Sequence, residues 1–121
     1  MSKAVLTVDD SRTMRNMLMM ALADAGFRVV QAEDGIHGLE VLQSELPDVI
    51  ITDINMPRLD GFGFIERVRE NERLSAVPIL VLTTEFSADK KERARRAGAT
   101  GWIVKPFDPQ KLVEVIHRVA A

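Results

Sequence analysis

Five short apolar runs alternate with five amphipathic stretches along this chain. The runs are residues 4–8, 27–32, 49–53, 79–83 and 102–105, each four to six residues long and rich in Val and Ile. Such runs read as strands. The stretches between them repeat apolar residues every three or four positions, which is one face of a helix. Parallel strands need a crossover of about a dozen residues, and a helix supplies it. The alternation therefore predicts a parallel sheet with helices on both faces.

Local signals set the helix ends. In the first helix Met14, Met17, Leu18, Ala21, Leu22 and Ala25 share a face. Asp10 or Ser11 caps its start, and Gly26 sits where a left-handed residue ends a helix. The second helix runs from near Asp34 to Ser44, and Leu46-Pro47 prevents its continuation. The third spans 61–72 with Phe64, Ile65 and Val68 inward. The fourth spans 87–97 and stops at Gly98, with only alanines and the preceding Phe86 as anchors. The fifth opens on Asp108-Pro109, an N-cap followed by a first-turn proline, and turns Leu112, Val113, Ile116 and Val119 inward. Most of the six methionines lie on the first helix and are assigned to the core.

The first, third and fourth runs are almost continuously apolar, as strands covered on both faces are. The second contains Arg28 and Gln31, and the fifth is preceded by Gly98 and Gly101 and ends in Lys105, so these two are edges. With right-handed crossovers the order is 2-1-3-4-5. This is an α/β doubly wound, five-stranded parallel sheet with five helices. The chain reverses direction between strands one and three, and a crevice opens there at the carboxyl ends.

Composition narrows the function. At 121 residues the chain is expected to form one domain over 1–121. It has no cysteine, which removes disulfides, thiolate metal sites and a cysteine nucleophile. No apolar stretch approaches the ~18 residues of a membrane span, and Met1-Ser2-Lys3-Ala4 leads into a strand rather than a signal peptide. The expected location is the cytoplasm. A net charge of −2 does not favour nucleic acid.

Asp9 and Asp10 end the first strand and Asp53 ends the third, so three carboxylates meet at the crevice. Like charges this close destabilise one another unless a cation intervenes. Carboxylates, a carbonyl and water are hard oxygen ligands, suited to Mg²⁺ or Mn²⁺. His37 and His117 fall away from this edge, so zinc is not expected. Thr83 and Lys105 end the fourth and fifth strands. Three carboxylates, one divalent cation and one lysine cancel in charge, so a phosphoryl dianion can approach. Thr83 would donate a hydrogen bond to it and Lys105 would neutralise it. Phosphoryl transfer needs mainly positioning and charge neutralisation, and a carboxylate can accept the group. Asp53 is the central carboxylate and the natural acceptor. Asp34, Asp60 and Asp108 read as caps and turn formers.

Asp9-Asp10, the run from Asp53 to Gly61 with its Asn55-Met56-Pro57 core, Thr83-Thr84 and Lys105-Pro106 together resemble the receiver domain of two-component response regulators. Among these, the chain is most similar to the single-domain chemotaxis type. The order 2-1-3-4-5, the flavodoxin-like arrangement, is already the known order of flavodoxin and of the chemotaxis receivers, so it is no separate discovery. The resemblance implies that Asp53 takes a phosphoryl group from the phosphohistidine of a CheA-like histidine kinase. It implies that Asp10, Asp53 and the Asn55 carbonyl bind Mg²⁺ directly and Asp9 through water. The backbone amides of Asn55 and Thr84 would complete the phosphoryl cradle with Thr83 and Lys105. Asn55 and Glu85 match positions that modulate autodephosphorylation, and the Lys105–Pro106 peptide would be cis.

The family also links Thr83 to an aromatic residue of the fifth strand, usually Tyr or Phe. Trp102 stands there, bulkier and without a hydroxyl, either as this switch or as a core residue. Residues 87–97 carry five basic and two acidic side chains, net +3. With the fifth strand and helix they form the expected output surface. The implied partner is a flagellar motor switch protein or another signalling protein, with the chain a monomer. A phosphate sink or relay receiver is the alternative. The chain is expected not to be an enzyme, although it promotes its own phosphotransfer and autodephosphorylation. An aspartyl-phosphate phosphatase is a distant rival, because Asn55 stands where such enzymes place a second aspartate. Neither a P-loop nor a Gly-x-Gly-x-x-Gly follows the first strand, which opposes nucleotide binding.

Overall fold

The computed structural model describes residues 2–120. The elements are β1 (Ala4–Val8), α1 (Arg12–Asp24), β2 (Arg28–Ala32), α2 (Gly35–Val41), β3 (Val49–Thr52), α3 (Gly61–Glu70), a 3-10 turn (Glu72–Leu74), β4 (Ile79–Thr83), α4 (Ala88–Ala97), β5 (Gly101–Val104) and α5 (Pro109–Val119). The strands are all parallel, in the order β2-β1-β3-β4-β5. Every residue of β1, β3 and β4 is buried, while β2 and β5 are partly exposed edges.

Side chains alternate across the sheet with period two, and two cores result. Leu6, Val8, Ile50, Ile79 and Val81 point to one face, where Phe64, Ile65 and Val68 of α3 and Ala94 of α4 cover them. Val5, Val49, Ile51, Leu80 and Leu82 point to the other, beneath Leu18 and Leu22 of α1 and Leu112 and Ile116 of α5. Among the described residues no helix is long and apolar enough to cross a membrane.

Caps form at the expected polar residues. Ser11, not Asp10, caps α1, and its hydroxyl accepts the Met14 amide. Asp34, Asp60, Ser87 and Asp108 cap α2, α3, α4 and α5. Several boundaries differ from the sequence reading. Helix α2 ends at Val41 rather than Ser44, and α3 ends at Glu70 before the 3-10 turn. Phe27 precedes β2, and Asp53 and Lys105 lie just beyond their strands.

Two packing expectations fail. Met17 and Met20 are 46% and 68% exposed, because α1 has only one stripe to bury and Leu18 and Leu22 fill it. Phe86 is 83% exposed, so Ala94 is the one buried side chain of α4. That helix has little apolar area holding it to the sheet. Its far end is fastened otherwise: the Arg69 guanidinium donates to the Gly98 carbonyl through both Nε (3.1 Å) and Nη2 (2.9 Å). Arg69 also reaches the carbonyls of Leu74, Ser75 and Val77.

Gly61, the first residue of α3, lies against the turn that leaves β3. A Cβ there would stand 2.3 Å from the Asp53 carbonyl oxygen and 2.8 Å from Ile54 Cα. Both are backbone atoms and cannot rotate away. Gly61→Ala is expected to cost about 1–3 kcal/mol, as overpacking does, and to lower the urea midpoint accordingly. A wild-type midpoint would contradict this close approach.

Candidate functional site

The register brings the three acidic residues together. Val8 of β1 pairs with Thr52 of β3, so Asp9 and Asp53 leave adjacent strands side by side. The ladder continues one step, with the Asp53 amide donating to the Val8 carbonyl at 3.0 Å. Asp9 and Asp53 are buried at 2% and 9% exposure, whereas Asp10 is open to solvent. One carboxylate oxygen from each lies within 4.8 Å of the other two.

Lys105 follows the edge strand β5 and reaches past β4 to this cluster. Its Nζ donates to Asp9 Oδ2 at 2.9 Å and to Asp53 Oδ2 at 2.8 Å. The remaining oxygens of these two also accept protons: Asp9 Oδ1 from the Ser11 amide at 2.9 Å, and Asp53 Oδ1 from the Ile54 amide at 2.6 Å. Asp10 accepts no hydrogen bond among the described residues. Burial pushes the Asp9 carboxyl above its ordinary range, and the bonds from Ser11 and Lys105 offset only part of that. Burial pulls Lys105 down, but its bonds to Asp53 and Asp9 outweigh this and hold its pKa above the ordinary lysine value. The Lys105–Pro106 peptide is cis.

The rim is a hydrogen-bonded chain between two loops. Asn55 Nδ2 donates to Glu85 Oε1 at 3.1 Å, and Lys90 Nζ of α4 lies 3.0 Å from the same oxygen. Lys90 first and Asn55 second hold the Glu85 carboxyl below its ordinary value. The buried Thr83 hydroxyl accepts the Glu85 backbone amide at 3.3 Å. Thr84 is exposed beside it. Trp102 is half-buried against the core on the α4 side and lines a groove with Ala88, Lys91, Ala94 and Arg95.

Three contacts were not read from the sequence. Arg15 Nη1 donates to the Asp9 carbonyl at 2.7 Å and ties α1 to the end of β1. Lys90 joins the Asn55–Glu85 pair. Arg58, with φ of 66°, makes a two-pronged pair with the α2 cap Asp34, at 2.7 and 3.0 Å. Beside it the Gly35 amide donates to the Leu59 carbonyl at 3.2 Å. The loop that follows Asp53 is thereby fastened to α2. The Arg58–Asp34 link spans 24 residues and only the fold creates it, while the Arg15–Asp9 and Lys90–Glu85 links depend on how the loops after β1 and β4 turn back.

A sequence model of the response regulator receiver domain matches residues 5–117. The chain is 40% identical over 116 residues to the chemotaxis protein CheY of Pseudomonas aeruginosa, covering 95% of this chain and 94% of that protein. The crystal structure of Vibrio cholerae chemotaxis protein CheY4 at low pH superposes with a TM-score of 0.94 at 45% identity, covering 98% of this chain and 99% of that one. The receiver domain of the sensor histidine kinase PA1611 from Pseudomonas aeruginosa, described with magnesium coordinated in its active-site cleft, gives a TM-score of 0.92 at 27% identity, covering 99% and 98%. The chain belongs to the response regulator receiver family of two-component signalling.

The Asp34–Arg58 pair yields a pH-dependent prediction. The Arg58 hydrogen bonds hold the Asp34 carboxyl below its ordinary value. A depressed folded pKa contributes stability above the unfolded value of about 3.9, which is lost as pH falls through the folded value. Arg58→Met is therefore expected to be less stable than wild type at neutral pH, with the gap closing as pH falls below about 4. Denaturant melts across pH measure this, and a gap of the same size in acid would contradict it.

Proposed function

We propose that this chain is a phosphorylation-controlled signalling switch with Asp53 as phosphoacceptor, most directly in chemotaxis. The observation that carries the reading is the cluster itself. Two buried carboxylates share the Lys105 ammonium, and a third lies open beside them.

The donor set fits a magnesium ion. One carboxylate oxygen from each of the three residues lies within 4.8 Å of the other two, and such hard oxygens suit this ion. Asp10, Asp53 and the Asn55 carbonyl would hold it directly. Asp9 would hold it through water, as the family resemblance implies. Bound there, Mg²⁺ neutralises charge on the transferred group; Mn²⁺ suits the same oxygens.

The donor is the phosphohistidine of a histidine kinase. An Asp53 carboxylate oxygen attacks phosphorus, the P–N bond breaks, and its electron pair returns to the imidazole, which then takes a proton. Lys105 must leave Asp53 Oδ2 at least in part and turn to the phosphoryl oxygens. Thr83 supplies a hydroxyl proton to another, and the backbone amides of Asn55 and Thr84 face the rest. Asn55 and Glu85 flank the approach of water and set how long the acyl phosphate lasts. Phosphorylation shifts the domain between two states with different partner affinity. The chemotaxis names of the similar proteins support a flagellar motor switch protein as that partner, met by α4, β5 with Trp102, and α5.

Incubation with acetyl phosphate and Mg²⁺ is expected to add one phosphoryl group to the intact mass. Asp53→Asn and excess chelator should each abolish the gain. Wild-type protein that stays unmodified, or an Asp53→Asn variant modified as fast as wild type, would contradict the assignment.

A further inference from the structure

Helix α4 is held at its two ends in different ways. The carboxyl end is fastened to α3 by two bonds from Arg69 to the Gly98 carbonyl, and the Gly98 and Ala99 amides cap it on the Ala94 carbonyl. The amino end has no buried apolar side chain, and the adjoining Phe86 points into solvent. Apart from the Ser87 cap, Lys90 to Glu85 is the side-chain tie at that end among the described residues.

Glu85 is engaged from three directions. Its backbone amide donates to the Thr83 hydroxyl, and its carboxylate receives both Asn55 Nδ2 and Lys90 Nζ. Thr83 and Asn55 belong to the loops that would meet a phosphoryl group. When the Thr83 hydroxyl turns to a phosphoryl oxygen, it rotates away from the Glu85 amide. The Glu85 carboxylate, held by Asn55 and Lys90 rather than by that amide, keeps both partners.

We infer that Lys90 is a positioning residue that latches the first turn of α4 to the crevice through Glu85. This inference rests on the reading of Asp53 as phosphoacceptor and adds how that site is regulated and read out. In the closed latch, Asn55 and Glu85 stay drawn together across the rim and narrow the path of water to the acyl phosphate. In autodephosphorylation water adds to phosphorus and the bond from the Asp53 oxygen breaks. The carboxylate, hydrogen phosphate and one proton result. Releasing Glu85 widens that path and frees the start of α4, which pivots about the end held by Arg69.

Wild type, Lys90→Met and Lys90→Arg are loaded with acetyl phosphate and Mg²⁺, desalted, and followed by intact mass. Lys90→Met should lose the phosphoryl group about two- to fivefold faster than wild type, the range an ion pair at the surface commands. Lys90→Arg, which keeps the charge and reach, should decay as wild type does. Amide exchange reads the other half of the inference without a phosphoryl group. In the unmodified protein the amides of residues 88–91 should exchange faster in Lys90→Met, while those of 95–97 stay as in wild type. Equal decay rates for wild type and Lys90→Met, or equal exchange at residues 88–91, overturn the latch. Wild type that takes up no phosphoryl mass overturns the phosphoacceptor reading instead, and leaves the exchange comparison to judge the latch alone.

Discussion

Two buried carboxylates sharing one ammonium group, with a third open beside them, dominate this molecule. Pairing β1 with β3 forces Asp9 and Asp53 to emerge side by side, and Asp10 follows Asp9 directly. Lys105 bridges the two buried carboxylates but leaves the cluster negative. Removing charge from water is costly, and like charges raise that cost. A cluster that keeps net negative charge where the strands end has the charge and the oxygen donors that suit a small hard cation. The surrounding contacts preserve this state. Ser11 and Ile54 amides fix the carboxylates, Arg15 fixes the Asp9 backbone, and the Arg58–Asp34 pair fixes the loop beyond Asp53.

The same arrangement explains where motion can occur. Strands β1, β3 and β4 are fully buried and cannot shift without breaking both cores. Helix α4 lies outside that constraint, with one alanine in the core and five basic side chains in and around solvent. Elements with few buried apolar contacts are the ones that open at low free energy. Thr83 connects the crevice to this helix through the Glu85 amide, over only a few residues of chain. Arg93 stacks 4.1 Å above the Phe62 ring and steadies the face turned toward α3. The packing of α4 on α3 is thereby reinforced, and the start of α4 is the less anchored end.

The elements and their order were legible because periodicity and edge polarity are local signals. Asp108-Pro109, Ser87 and Gly98 marked helix ends correctly, since capping depends on residues a few positions apart. Phe86 and Met20 were misplaced for the opposite reason. An apolar side chain beside a helix pattern says nothing about whether the core still has room, and here it was already filled by Leu18, Leu22 and Ala94. The acidic cluster with Lys105 was legible because strand ends converge in any sheet of this order. The Arg58–Asp34, Arg69–Gly98 and Lys90–Glu85 contacts were not. The first two span 24 and 29 residues of sequence, and the third depends on how the β4–α4 loop folds back. Long flexible cations carry no pattern that names their partner.

We propose that a divalent cation completes the crevice. Thermal melts of wild type and Asp10→Asn against Mg²⁺ at constant ionic strength test it most directly. A ligand that binds only the folded state raises the melting temperature with its concentration. The account predicts that wild type rises steadily with Mg²⁺ and that Asp10→Asn starts higher without the ion and gains much less from it. A wild-type melting temperature that ignores Mg²⁺, or that responds equally in Asp10→Asn, would contradict the account.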